Sequence, residues 1–160
     1  LQDVIIDDLG GIRDHYPGTC LREESDIYLR LRRAGWRVVY TPAAVVTHVA
    51  APYATGARFD LRYHYYGHRN HVVLLGRTQG LRAAVTRRYL AATLREDLLG
   101  GLRAAARSAG DRALPPRPRA RRVAGTLART VVATAGTTAG ITAAVRLRWA
   151  AGPVSPPAAR

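Results

Sequence analysis

Two hydrophobic periods alternate along this chain. Val4, Ile5, Ile6 and Leu9 lead into Gly10-Gly11, which predicts a short helix over 3–9 closed by glycine, the residue that tolerates a left-handed cap. A loop follows through Pro17-Gly18. Residues 23–34 predict a second helix, with Ile27, Leu31 and Ala34 at helical spacing on its buried face. Glu23, Glu24 and Asp26 open it, Arg30, Arg32 and Arg33 lie near its end, and Gly35 follows; both charge placements suit the helix dipole. The period then shortens. Residues 37–41 (Arg-Val-Val-Tyr-Thr) predict a strand, Pro42 interrupts it, and Ala44 to His48 form a second extended run. Residues 50–58, with Pro52 and Gly56, predict a loop.

Helical spacing returns over 59–76, which carries Tyr63, His64, Tyr65, Tyr66, His68, Arg69, Asn70 and His71; Gly67 weakens its middle. Residues 81–107 predict a basic amphipathic helix with a break at Gly100-Gly101. Pro115, Pro116 and Pro118, interleaved with Arg117 and Arg119, predict a stiff basic linker. A last helix is expected over 121–150 and a disordered tail from Pro153. Within that helix, Thr130 to Val145 is the longest stretch without charge. It is shorter than the ~20 apolar residues of a membrane span and rich in Thr, Gly and Ala, so it predicts a surface or marginal helix.

Charge changes the picture of the second half. The formal charge is +14 and every cation is Arg. Residues 1–80 hold 10 Arg against 8 acids, whereas residues 81–160 hold 15 Arg against 3. Such a half attracts anionic lipid or nucleic acid without sequence preference. The single cysteine, Cys20, forms no internal disulfide, which favours a reducing compartment. No leader pattern is present, so no secretory signal is expected; the absence of Met fits a Leu1 that is not the natural start, and equally trimming or an alternative start codon.

The densest chemistry is at the start of the helix at 23. Three carboxylates within four positions repel one another, and the positive helix end or a cation offsets that cost. Acids in a first turn are also ordinary for dipole reasons alone. Twenty-two residues after Asp26, the extended run delivers His48; carboxylate and imidazole together suit a divalent metal, although a lone His at a strand end is ordinarily structural. His64, His68 and His71 share one helix face. With no acid or Cys nearby in sequence, they read as packing or surface residues and not as a metal face.

The ordered run from Arg22-Glu-Glu-Ser-Asp26 through Ile-Tyr-Leu-Arg-Leu-Arg-Arg-Ala-Gly-Trp-Arg-Val-Val-Tyr-Thr-Pro-Ala-Ala-Val-Val-Thr to His48 resembles the closing catalytic segment of family 2 glycosyltransferases. Gly10-Gly11 and the following acid-and-aromatic loop resemble the stretch upstream of it. The resemblance covers 1–80. It implies an α/β fold: the C-terminal, acceptor-side half of a GT-A-type nucleotide-sugar transferase domain, followed by basic amphipathic helices over 81–150 and a tail over 151–160. It implies inverting transfer of a sugar from a nucleotide-sugar donor to a glycan or lipid-linked hydroxyl acceptor, in cell-envelope or polysaccharide synthesis. By the same resemblance Glu24 is the general base, flanked by Glu23 and Asp26; the family more often has Asp there, and Glu is one methylene longer. His48 falls where relatives supply a ligand to Mg or Mn, the divalent cofactor that neutralises the leaving diphosphate. Arg69-Asn70 matches an Arg-Asn pair in related enzymes and reads either as a contact to diphosphate or acceptor, or as packing against the sheet. Trp36 and Tyr40 read as packing residues.

The donor-binding half of that fold, ending in Asp-x-Asp, has no counterpart in these 160 residues; Asp7-Asp8 is a poor substitute. The expectation is a truncated chain, a fragment or a split-gene product, with little transfer on its own, placed in the cytoplasm or on the inner face of the cell membrane. The alternative is a non-catalytic basic module that binds anionic membrane; nucleic acid is not the expected partner, because no nucleic-acid motif is present.

Overall fold

The computed structural model describes residues 11, 15–18, 22–37, 39–43, 45, 47 and 61–150. The order of elements is α1 (Glu23–Arg33), α2 (Leu61–Thr78), α3 (Ala84–Thr93), a π-helical segment (Leu94–Gly100), α4 (Gly101–Gly110) and α5 (Pro116–Ala150). The expected helix at 3–9, the loop at 50–58 and the tail from 151 lie outside the described residues.

The α/β expectation is overturned: among the described residues there is no strand and no sheet, and so no half of a GT-A domain. The described residues of the β-favouring sequence at 37–41 have no ladder partners. A strand needs a neighbour to receive its backbone hydrogen bonds and a second layer to cover its apolar face. Here Val39 and Val45 are exposed and Tyr40 is 90% exposed, so neither condition is met. Tyr40 is accordingly not a packing residue, and Trp36 is only partly covered at 46% exposure.

α1 forms where the charge pattern places it, but its buried face differs. Asp26 is buried, Leu29 packs on the core, Ile27 and Leu31 are half-buried, and Ala34 is exposed. The helix starts at Arg22, which has φ 87° and no side-chain cap. That left-handed conformation costs a non-glycine residue about 1–2 kcal/mol.

α5 is the organising element. Its 35 residues extend about 52 Å at the usual helical rise. The Pro-rich stretch expected as a linker begins it: Pro116 and Pro118 lie in its first turn, where backbone N–H groups have no helical partner and proline loses nothing. The Thr130–Val145 stretch is not a marginal surface helix but the seam against α2. Gly136 meets the Tyr65 carbonyl, Gly140 meets Arg69 and Val72, and Ala144 meets Gly76, so α2 and α5 run in the same direction. The two glycines, four apart, remove the side chains that would hold the backbones apart. Tyr16, Val73 and Leu74 form the buried cluster beside this seam, with Leu29, Ala143 and Leu147 against it.

α4 returns along the first half of α5, with Gly101 against Thr130. The expected break at Gly100-Gly101 is absent: helical backbone continues from Ala84 to Gly110, and Leu94–Gly100 is widened to π geometry instead. Along α5, Thr126, Thr134, Thr138 and Thr142 each donate their hydroxyl to the carbonyl four residues back. Their hydrogen bonds are satisfied within the helix, so this threonine stripe presents little polarity to its surroundings.

Candidate functional site

The three acids of α1 are not equivalent. Asp26 accepts a hydrogen bond from Arg30 Nε at 2.9 Å, one turn along, and is itself almost fully buried. Arg30 also donates to the Gly11 carbonyl at 2.8 Å. Tyr16 covers this pair. Burial, and then the adjacent Asp26 charge, push its phenol well above the ordinary range, so it stays protonated. Asp26 is therefore committed to a structural ion pair. Glu23 is half-buried and Glu24 is exposed, leaving Glu24 as the acid of the three most open to a substrate.

His48 lies outside the described residues. Among the described residues no three His, Cys, Asp or Glu side chains gather as a metal site. With Asp26 already paired to Arg30, the acidic start of α1 does not by itself provide a divalent-ion cage.

Arg69 and Asn70 fasten the 15–18 loop to α2. Arg69 Nη1 donates to the His15 carbonyl at 3.0 Å and to Asn70 Oδ1 at 2.8 Å, and fully buried Asn70 donates to the Pro17 carbonyl at 3.3 Å. Gly18 completes the loop with φ 89° and its Cα against the Tyr66 ring, so only glycine fits there. Because Tyr16 covers Asp26 while His15 and Pro17 hold Arg69 and Asn70, this loop brings the acid segment and the Arg-Asn pair into one neighbourhood. There is no sheet for the pair to pack against. Arg69 instead borders a cleft of about 460 Å³ between α2 and α5, whose wall also includes His15, Thr142 and Arg146.

The histidine face of α2 turns toward α3 and the π-helical segment. The His71 ring lies 4.3 Å from the Tyr89 ring, and His68 Nδ1 lies 3.7 Å from Asp97 Oδ2. Burial, then the Arg22 and His68 charges, lower the His71 pKa to about 4. Burial also lowers His68, with Asp97 opposing and His64 adding to the shift. His68 and His71 are therefore neutral at neutral pH, and His71 packs its ring on Tyr89.

Sequence reasoning missed Tyr16, Arg146 and the Tyr89–Asp97 side of the histidine face. No local signal marks Tyr16 or Tyr89, since their roles come from tertiary contact. The fourfold spacing of Thr126, Thr130, Thr134, Thr138 and Thr142, together with Gly136 and Gly140, was a legible sign that α5 is packed on more than one side.

No protein-family model, curated protein or solved structure matches the chain.

Proposed function

We propose that this chain is part of an inverting glycosyltransferase that moves a sugar from a nucleotide-sugar donor to a hydroxyl of a glycan or lipid-linked acceptor. The observation that supports it most is the division of labour at the start of α1. In the ordered Arg22–His48 run, the acid at the base position, Glu24, is exposed, while Asp26 is neutralised by Arg30. Glu24 takes the proton of the acceptor hydroxyl as that oxygen attacks the anomeric carbon. The bond from that carbon to the diphosphate oxygen breaks on the opposite face, and its electron pair leaves with the nucleoside diphosphate. A carboxylate suffices because proton removal is concerted with attack. The described residues do not form a cage for Mg or Mn, so no step is assigned to a metal; His48 is the one ligand this chain is proposed to contribute.

The test is sugar transfer from a panel of nucleotide sugars to membrane lipid extract, by a polypeptide that joins this chain to a donor-binding segment with Asp-x-Asp. Transfer with inversion at the anomeric carbon supports the reading. Absence of turnover with every donor, from a polypeptide shown to bind nucleotide sugar, removes it.

A second reading, compatible with the first, has its own observation. An open apolar groove of about 630 Å³ runs between Leu98 and Leu102 on one side and Leu127, Val131 and the threonine stripe of α5 on the other. Arg95, Arg103, Arg107, Arg117 and Arg121 on these same elements are exposed. An apolar strip among cations suits the surface of an anionic membrane, where leucines enter the acyl boundary and guanidiniums meet headgroups. Among the described residues no helix is long and apolar enough to cross a membrane, so contact would be at the surface.

A further inference from the structure

We infer that the cleft between α2 and α5 is a binding site for a phosphate or diphosphate group, held between Arg69 and Arg146. Two guanidiniums and His15 border it, and no carboxylate lines it among the described residues. Asp26, held under the same 15–18 loop, already has Arg30 as its partner. Two cations bordering one cleft disfavour each other, and an anion between them offsets that cost.

The shape supports the same ligand. On the α5 wall, Ala139, Thr142 and Ala143 are small and leave open the space that the guanidiniums border, with Leu147 closing one side. A volume of about 460 Å³ holds a diphosphate with room for part of the group it carries. Arg69 is held in place before any ligand arrives, because Nη1 is bonded to the His15 carbonyl and to Asn70. A guanidinium has five N–H donors, so among the described residues three carry no bond, on Nε and Nη2, in a planar fork that matches phosphate oxygens. Neither helix offers its N-terminus here: the cleft lies along the last turns of α5 and the middle of α2. The attraction therefore comes from the side chains, and removing one guanidinium should be felt strongly.

The carrier of the phosphate depends on the transferase reading, which supplies two sources, a nucleoside diphosphate or a diphosphate-linked lipid; the site itself does not depend on it. The test is titration of the full chain with inorganic pyrophosphate at about 0.15 M salt, where long-range attraction is screened. Arg146→Gln is compared with Arg122→Gln, an equal charge change at an exposed α5 position outside the cleft. The expected result is measurable wild-type binding that weakens about tenfold or more in Arg146→Gln, as for loss of one hydrogen bond to a charged group, with Arg146→Lys recovering part of it. Arg122→Gln should bind within about twofold of wild type at that screening. Arg69→Gln is a poorer probe because it also releases the 15–18 loop, so Arg146 carries the test. No wild-type binding, or equal weakening by both Gln variants, overturns the site. Uridine or guanosine diphosphate, and a polyprenyl diphosphate in neutral phosphatidylcholine vesicles, then separate the two sources: tighter binding than pyrophosphate by either one supports the site and names its carrier. Pyrophosphate binding without sugar transfer would leave this site standing and remove the transferase; transfer without pyrophosphate binding would do the reverse.

Discussion

Gly140 lies directly against the main chain of Arg69: a Cβ on Gly140 would come within 2.6 Å of the Arg69 carbonyl oxygen and 2.8 Å of the Val72 Cβ. The same contact that sets the spacing of α2 and α5 therefore fixes the Arg69 backbone beside the cleft. Substitution tests this against helix propensity, which favours Ala over Gly by about 1 kcal/mol in a helix interior. Gly140→Ala should nevertheless lower stability by about 1–3 kcal/mol through overpacking. Gly125→Ala, whose new methyl would meet only the Arg129 guanidinium at 3.7 Å, should raise it by up to about 1 kcal/mol. Chemical denaturation followed by circular dichroism reads both; stabilisation by Gly140→Ala would contradict the close seam.

The acids of α1 should separate in stability as they do in burial. Asp26→Asn leaves the Arg30 guanidinium without its buried partner and should cost about 3 kcal/mol or more. Glu24→Gln, at an exposed position, should stay within about 0.5 kcal/mol of wild type. A similar loss from both would show that Glu24 is also a structural residue.

Acid should destabilise the α2–α3 contact before it protonates the carboxylates. His71 titrates at about 4 in the folded chain against about 6.5 when unfolded. The unfolded state thus binds the proton first as pH falls. The stabilisation is complete above pH ~6.5 and is lost progressively down to pH ~4, with His68 shifted in the same direction. The melting temperature should fall across that window, and His71→Phe, which keeps the ring contact with Tyr89, should flatten the decline. An unchanged slope in His71→Phe would remove His71 as its source.

The membrane reading predicts co-sedimentation with vesicles rich in phosphatidylglycerol and little with neutral phosphatidylcholine. Leu102→Glu with Val131→Glu places two acids at the groove and should reduce binding at least about tenfold, since each change removes apolar contact and adds repulsion. Added salt should weaken the wild type as well. Binding to DNA with none to anionic vesicles would reverse the choice of partner.

The helices at 23–33, 61–78 and 84–110 were legible because their signals are local: apolar residues at helical spacing in each, and in the first also acids at its start and arginines and glycine at its end. The 37–41 strand was misread because alternation reports a preference, and a strand exists only with a partner to complete its ladder. α5 was undervalued for a related reason. Its Gly, Ala and Thr residues give a weak hydrophobic pattern, yet small residues are what allow α2 to approach. Glu23, Glu24, Asp26, Arg69 and Asn70 could be picked out one by one. That Asp26 is buried under Tyr16, and that Arg69 shares a cleft with Arg146, depends on contacts between distant segments that no spacing displays.

The most direct test of the account is sugar transfer by Glu24→Gln, compared with wild type in a polypeptide that pairs this chain with a donor-binding segment. The amide keeps size and polarity but accepts no proton at neutral pH. The account predicts retained nucleotide-sugar binding with turnover reduced at least about a hundredfold, the usual weight of a general base. Turnover near the wild-type rate in Glu24→Gln would contradict it.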